Sequence, residues 1–154
     1  MEKLWDLSKL DVRERAALRK SIGQPFGTDA GAMIAFFKAL CTEPGEKNKD
    51  ILFKCMCLEC LWRPGETKGR PKMLQEILHD MIKAGDVIAT RRFFYMLDIS
   101  STNNLLYQLE KCVRLIKVRY PRQAVDFQAL VRDLLQWGDP DLKKSWINSI
   151  FCET

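Results

Sequence analysis

Three cysteines, Cys55, Cys57 and Cys60, occur within six positions of the sequence, in the segment FKCMCLECLWR (53–63). Clustered thiols can hold a zinc ion or form a redox centre. A structural zinc site needs four ligands that converge on the ion, and such ligands usually lie in pairs on turns. The run 51–62 contains no turn residue, and on a helix Cys55 and Cys57 point about 200° apart. The segment therefore indicates a buried helix, a metal or redox site being the alternative, and we expect no metal and no cofactor.

No other pattern in the chain predicts catalysis. His79, the only histidine, lies in the helical run MLQEILHDMIKA without a cysteine, serine or carboxylate at the spacing of a catalytic pair. The phosphate-binding pattern G-x-x-x-x-G-K is absent, as are paired carboxylates in a suggestive setting. We therefore expect a protein that is not an enzyme and has no catalytic residues.

The composition indicates a folded domain without a membrane span. The chain has 154 residues, enough for one domain or two small packed halves, and 47% of them are apolar. No stretch approaches the roughly 18 uninterrupted apolar residues of a membrane helix, and the charged start MEKLWDLSKLDVRERAALRK is unlike a signal peptide. We therefore expect a cytoplasmic protein that binds no membrane and whose six cysteines stay reduced.

Helical periodicity runs along the whole chain, and no strand pattern competes with it. We expect an all-α fold of about eight helices in two packed helical halves, residues 1–85 and 86–154. The polar cluster SSTNN at 100–104 is expected to cap the sixth helix. The expected helices cover approximately residues 11–22 (capped by Ser8 or Asp11), 28–41, 49–62, 72–84, 88–97, 104–118 and 126–137, followed by a last helix that ends near 151.

The positive charge of the chain is concentrated in one region. Residues 87–122 contain seven basic residues and two acidic ones, an excess of five that equals the net charge of +5 of the whole chain. Residues 11–20 add four basic residues against two acidic ones. Such a concentration is typical of a surface that binds a polyanion.

The basic residues of this region form a stripe on the sixth predicted helix. Lys111, Arg114 and Lys117 recur every three residues, so their stripe drifts around the helix. Arg91 and Arg92 lie on the preceding helix, which packs beside it if the connection is short. Many charge runs are only solvated surface, but the lack of balancing acidic residues here favours contact with phosphates. No base-reading motif accompanies the stripe, so we expect binding to the nucleic-acid backbone.

Two further features have open interpretations. The segment RPGETKGRP (63–71) is expected to be a flexible basic loop, either solvated or directed toward a partner. Trp137, Trp146 and Phe151 could stack on bases, but their spacing on amphipathic helices favours core packing.

Three segments of the second half carry a recognisable family pattern. They are ATRRFFYMLD (89–98), LLYQLEKCVRLIK (105–117) and VDFQALVRDLLQWGDPDLKKSWINSIF (125–151). With their Arg-Phe pair, regular leucines, DLLxW motif and late tryptophan, these segments resemble the CasB family, the small subunits of the type I-E CRISPR surveillance complex, Cascade. The first half resembles the family more faintly, in ALRKS (17–21) and ILFKCMCLECLW (51–62).

The resemblance implies a non-catalytic antiviral-defence subunit that stabilises the crRNA–target DNA duplex and the displaced strand of the R-loop. The implied partners are crRNA, target DNA, the backbone and large subunits of Cascade, and a second copy of the chain. A small helical adaptor whose basic face binds an acidic protein is the alternative, and a zinc- or redox-dependent enzyme is a third possibility. The nucleic-acid-binding residues that the resemblance implies are Arg19, Lys20, Arg91, Arg92, Lys111, Arg114 and Lys117.

Metal analysis distinguishes the buried-cysteine interpretation from a zinc enzyme. We expect the purified protein to contain far less than a stoichiometric amount of zinc, because helical geometry keeps the thiols from converging on one ion. Inductively coupled plasma mass spectrometry after gel filtration measures the ratio of zinc to protein. Stoichiometric zinc, removed by a chelator with a loss of thermal stability, would contradict this interpretation.

Overall fold

The computed structural model describes residues 3–97 and 101–152, and this part of the chain contains eight α-helices and no β-strand. The expected all-α class is therefore confirmed. Two single turns of 3-10 helix, Leu7–Lys9 and Glu46–Asn48, precede the first and third α-helices. The α-helices are α1 (Val12–Lys20), α2 (Ala30–Ala39), α3 (Lys49–Glu59), α4 (Leu74–Lys83), α5 (Val87–Leu97), α6 (Thr102–Arg119), α7 (Phe127–Leu134) and α8 (Pro140–Phe151).

Polar side chains set the starts of most helices, as their positions in the sequence predict. Asp11 accepts a hydrogen bond from the backbone N–H of Glu14, and the Glu14 side chain accepts one from the backbone N–H of Asp11, which forms a capping box on α1. Ser101, from the expected SSTNN cluster, caps α6, while Ser100 lies outside the described residues. Three aspartates, Asp29, Asp126 and Asp139, cap α2, α7 and α8 in the same way.

The helices group into two compact units, Met1–Arg63 and Pro64–Thr154. The sequence-based division near Gly85 places α4 in the first half, whereas in the structure α4 packs against α5 and α8 and belongs to the second unit. The apolar face of α4 alone does not reveal which helices will cover it, because periodicity predicts a buried face and not its partner. No helix in residues 3–97 and 101–152 combines the length and apolarity needed to cross a bilayer.

Helix α3 is the buried centre of the first unit. Its apolar residues are buried, while Asp50 is exposed and Lys49, Lys54 and Glu59 are half-buried. The expectation that the clustered cysteines belong to the core is confirmed, since the side chains of Cys55, Cys57 and Cys60 are fully buried. The buried residues of α3 are Ile51, Leu52, Phe53, Cys55, Met56, Cys57 and Leu58.

Aromatic and indole contacts complete this unit. Phe26, Phe36 and Phe53 meet edge to face, with ring centroids 5.3–5.6 Å apart. Trp5 is buried and its indole N–H donates to Glu59 at 2.9 Å, and Trp62 is also buried. Both tryptophans, whose roles the sequence leaves undecided, therefore belong to the core.

Trp146 is the centre of the second unit. It is fully buried, stacks on Phe93 with centroids 6.4 Å apart, and meets Trp137 edge to face at 5.1 Å. Its indole N–H donates to Asp133 at 2.9 Å. The expected core role of both tryptophans is confirmed, whereas Phe151 is 42% exposed.

Replacing Trp146 with alanine should therefore destabilise the protein strongly. We expect Trp146→Ala to lower the free energy of unfolding by about 3–5 kcal/mol, because it leaves a large cavity and an unpaired Asp133 carboxylate. Urea denaturation followed by circular dichroism measures the change. The neighbouring Ile147 is 41% exposed, so Ile147→Ala serves as the control and should change stability by about 0.5 kcal/mol or less. Equal stability of the two variants would contradict the assignment of Trp146 as a core residue.

Candidate nucleic-acid interface

Helix α5 carries two arginines, Arg91 and Arg92, that have no internal partner among the described residues. Arg91 is exposed and Arg92 is half-buried, and neither forms a hydrogen bond or ion pair with another described residue. The buried residues Ala89, Phe93 and Met96 turn the opposite side of the helix toward the core. Within the described residues, neither guanidinium group is held by a carboxylate or a carbonyl.

Helix α6 lies beside α5 and carries the next basic residue, Lys111. Its ammonium group lies 4.6 Å from the centroid of the Tyr107 ring, one turn earlier on the helix. Tyr107 is 53% exposed, and Tyr95 on α5 is 47% exposed. The two helices thus combine cations with accessible aromatic rings, a combination that suits contact with phosphates and unstacked bases.

The other two candidates on α6 are ion-paired. The guanidinium of Arg114 bonds to the Glu110 carboxylate at 3.1 Å, and the ammonium of Lys117 pairs with Glu66. A step of three residues falls about 60° short of a full helical turn, so Lys111, Arg114 and Lys117 occupy progressively different directions. The charges of Arg114 and Lys117 are partly balanced by the carboxylates of Glu110 and Glu66. This weakens the case for either residue as a phosphate ligand.

Arg92 is the arginine of α5 that lies next to α6. Arg92 lies close enough to Cys112 for its charge to favour the thiolate, although burial dominates and raises the pKa of Cys112 to about 12. Lys111 is the residue before Cys112. On the helix its side chain points closer to the direction of Cys112 than the side chains of Arg114 and Lys117 do. Arg91 and Arg92 thus lie on α5 and Lys111 lies on α6, two helices that pack against each other.

The segment 63–71, expected to be a flexible loop, is tied down by its backbone. The N–H of Lys68 donates to the carbonyl of Arg122 at 2.9 Å, and the N–H of Lys72 donates to that of Ala124 at 3.0 Å. The carbonyl of Lys72 accepts from Asp126 at 2.8 Å. The segment is therefore paired with residues 122–126 around Lys68 and Lys72, a partner some 50 residues later that loop composition does not reveal.

An ion pair that sequence reasoning missed fixes the end of α6. The Arg119 guanidinium bonds to Asp86 at 3.1 Å. Burial opposes ionisation of Asp86, but hydrogen bonds from the Ala89 N–H and from Arg119 outweigh it and lower the pKa of Asp86. The only signal in the sequence is the position of Asp86 after Gly85, where a helix cap is expected. Arg119 therefore counts toward the positive charge of residues 87–122, but its guanidinium group stabilises the fold.

In the first unit, two basic residues of α1 also have structural roles. Arg19 donates to the carbonyl of Cys60 at 2.9 Å, and Arg15 donates to that of Leu7 at 3.1 Å. Lys20 is exposed and forms no hydrogen bond or ion pair with a described residue. Of the two candidates in this unit, Lys20 is therefore the one free to bind an external group.

The remaining candidates for chemistry are occupied or buried. The His79 Nδ1 atom lies 2.6 Å from the carbonyl oxygen of Ile150, so the ring links α4 to the end of α8. Burial raises the pKa of Cys55 and Cys57, and raises that of Cys60 to about 12. Within residues 3–97 and 101–152, no group of three or more histidine, cysteine or acidic residues could hold a metal ion.

The chain matches a known protein family over most of its length. Residues 14–150 match the family described as CRISPR-associated protein Cse2. The chain belongs to the Cse2 family. The resemblance to CasB, the name under which several solved Cse2-type proteins appear, is thereby confirmed.

Solved structures of Cse2 and CasB proteins share the fold of the chain. A Cse2-family CRISPR-associated protein from Thermus thermophilus has a TM-score of 0.72 at 22% identity, covering 91% of this chain and 86% of that protein. CasB from M. ruber has a TM-score of 0.72 at 17% identity, with coverages of 92% and 85%. CasB from Thermobifida fusca has a TM-score of 0.61 at 17% identity, with coverages of 90% and 84%. No curated protein matches the chain in sequence.

Membership of the Cse2 family makes the chain a CRISPR-associated protein and supports its place in a complex with other Cas subunits. At identities below 25% the solved structures show the fold alone, so the roles of individual residues depend on the geometry of this chain. In that geometry Arg91, Arg92 and Lys111 have no carboxylate partner among the described residues, Arg114 and Lys117 are ion-paired, and Lys20 lies in the other compact unit.

Thiol alkylation tests the burial of the cysteines in this Cse2-family protein. At pH 8 we expect iodoacetamide to modify Cys41 and Cys152, which are exposed, and to spare the four buried thiols. Because burial raises the pKa of Cys60 and Cys112 to about 12, these thiols stay protonated at pH 8, and raising the pH to about 9.5 should not expose them to reaction. Mass spectrometry of intact protein counts the modifications, with urea-unfolded protein as the control in which all six cysteines react. Rapid modification of Cys55, Cys57 or Cys60 in the folded protein would contradict their burial.

Proposed function

We propose that this Cse2-family chain is a non-catalytic small subunit of a type I-E Cascade complex that holds nucleic acid through its basic surface. In this proposal the subunit contacts the crRNA–target DNA duplex and the displaced strand and so stabilises the R-loop. Its protein partners are the backbone and large subunits and a second copy of itself, in the cytoplasm. Family membership supports the place in the complex, and the charge arrangement of the second unit supports the nucleic-acid contact.

The observation that carries the nucleic-acid role is a pair of arginines on α5 that have no carboxylate partner among the described residues. Arg114, Lys117 and Arg119 each form an ion pair with a carboxylate of the same unit. Arg91 and Arg92 have no such counterion among the described residues. Each cation that meets a phosphate releases condensed counterions into solution, which drives binding without reading the bases.

The accessible aromatic rings extend the same surface. Tyr95 follows Arg91 by one helical turn, and Tyr107 precedes Lys111 by one turn. A displaced single strand exposes its bases, and such bases stack on aromatic side chains without sequence preference. In a complex whose guide RNA reads sequence by base pairing, a subunit with backbone and stacking contacts suits the task of holding strands in place.

Charge reversal on α5 should weaken binding to single-stranded DNA. We expect Arg91→Glu with Arg92→Glu to lower the affinity for a 20-nucleotide oligothymidylate at least tenfold at about 0.1 M salt. The loss of two phosphate contacts should reduce the slope of log affinity against log salt by about 1.4. Fluorescence anisotropy across a salt series measures both quantities.

The matched control changes the same charge elsewhere on the surface. Lys47 and Lys144 are exposed and form no ion pair with a described residue, so Lys47→Glu with Lys144→Glu should leave affinity within about threefold of the wild type. In a reconstituted complex, only the arginine variant should reduce R-loop yield. Equal losses in the two variants would show that net charge, and not this surface, controls binding. Binding that an acidic peptide displaces as well as DNA does would favour the adaptor alternative.

A further inference from the structure

Residues 64–69, the strap, pass beside the last cation of the stripe on α6. The Glu66 carboxylate of the strap pairs with the Lys117 ammonium. The Nζ atom of Lys117 is inaccessible to solvent, whereas the Glu66 side chain retains 32% of its exposure. The ion pair therefore lies directly beneath the surface, with the cation inside and the strap outside.

The partner of Lys117 differs in origin from those of the other two stripe residues. Lys111 lies over the Tyr107 ring and Arg114 pairs with Glu110, and both of these partners belong to α6 itself. The carboxylate that pairs with Lys117 comes from a segment about 50 residues earlier. A buried ammonium is unfavourable unless a carboxylate compensates its charge, so the state of Lys117 depends on the position of the strap.

The strap contributes little to the core. No residue of the strap, all of which the structure describes, is buried. Gly65 and Gly69 both have φ of +80°, a backbone conformation that glycine adopts at little cost. These two glycines flank Glu66 and allow the chain to turn on either side of it. A short exposed segment of this kind opens far more readily than the packed helices around it.

Backbone hydrogen bonds define which part of the segment is able to move. The Lys68 N–H donates to the Arg122 carbonyl at 2.9 Å, within the strap. The Lys72 N–H donates to the Ala124 carbonyl at 3.0 Å, beyond the strap. On the other side, Trp62 is buried in the core of the first unit. The strap thus lies between two fixed points, Trp62 and Lys72.

We propose that the strap controls access to Lys117. In the closed state, which the structure shows, Glu66 neutralises the ammonium and covers it. In the open state Glu66 and the Lys68 N–H leave their partners, and the ammonium reaches the surface. A phosphodiester carries one negative charge, as Glu66 does, so a nucleic-acid strand competes with the strap for the same cation. The proposal rests on the proposed function for its ligand and adds a regulation by the protein's own chain.

Hydrogen exchange tests the strap without any nucleic acid. Glu66→Gln keeps the size of the side chain and removes the charge that pairs with Lys117. We expect the Lys68 amide to exchange at least about threefold faster in this variant, and the Lys72 amide to stay within about 1.5-fold of the wild type, because only the strap opens. NMR measures the exchange of both amides.

The matched control is Glu43→Gln. Glu43 is exposed and forms no ion pair with a described residue, so its loss should leave both amides unchanged. An unchanged Lys68 amide in the Glu66→Gln variant would overturn the proposal. Equal acceleration at Lys68 and Lys72 would also overturn it, since the movement would then extend beyond the strap.

DNA binding tests whether the exposed cation is used. We expect Glu66→Gln to raise the affinity for 20-nucleotide oligothymidylate about threefold at about 0.1 M salt and to increase the salt slope by about 0.7, the value for one further phosphate contact. Glu43→Gln removes the same charge and should stay within about 1.5-fold of the wild type with an unchanged slope. Equal gains in the two variants would overturn the proposal.

A double variant shows whether the gain passes through Lys117. Adding Lys117→Gln to Glu66→Gln should cancel the gain, because the cation that the open strap exposes is then missing. In the wild-type background Lys117→Gln should match Lys144→Gln, which removes a charge from an exposed residue without an ion pair. Circular dichroism melting confirms that the variants are folded. A gain that persists in the double variant would overturn the role of Lys117.

The outcomes separate this proposal from the proposed function. If Arg91→Glu with Arg92→Glu leaves affinity unchanged while Glu66→Gln raises it, the α5 surface fails and the control by the strap stands. If the α5 variant loses binding and Glu66→Gln behaves like Glu43→Gln, the proposed function stands and the control by the strap is overturned.

Discussion

The antiparallel packing of α5 against α6 is the constraint on which the candidate interface depends. The Asp86–Arg119 ion pair joins the start of one helix to the end of the other, and Phe93 anchors α5 in the aromatic core around Trp146. With the two helices held in this way, the register fixes which basic side chains share a side. A rotation of α5 by one residue, about 100°, would turn Arg91 and Arg92 away from the position they now occupy.

Basic residues of the same type serve two different purposes in this chain. Arg15 and Arg19 bond to carbonyl groups, and Arg119 bonds to a carboxylate, so these residues stabilise the units in which they lie. Arg91 and Arg92 have no internal partner among the residues that the structure describes. The net charge counted from the sequence therefore overstates the number of cations available to a polyanion. The hydrogen-bond and ion-pair partners of each residue show to which of the two groups it belongs.

The helices and their starts could be predicted from the sequence because the signals for them are local. Asp11 with Glu14 and the apolar repeat of each helix lie within a few residues of what they specify. The burial of Cys55 and its neighbours could be predicted for the same reason. The pairing of Lys117 with Glu66 and the docking of the segment around Lys68 could not, because those partners are about 50 residues apart and follow from tertiary packing.

Helix α3 buries seven of its eleven residues, and this changes which substitutions it can accept. An amphipathic helix tolerates many substitutions on its solvated side and few on its buried side. At the seven buried positions of α3 the side chains meet packed atoms, so the quantity left to vary there is side-chain volume. A cysteine there acts as a slightly enlarged alanine. The thiols of FKCMCLECLWR suggest a reactive site in the sequence, but in the structure they fill the limited volume that each buried position allows.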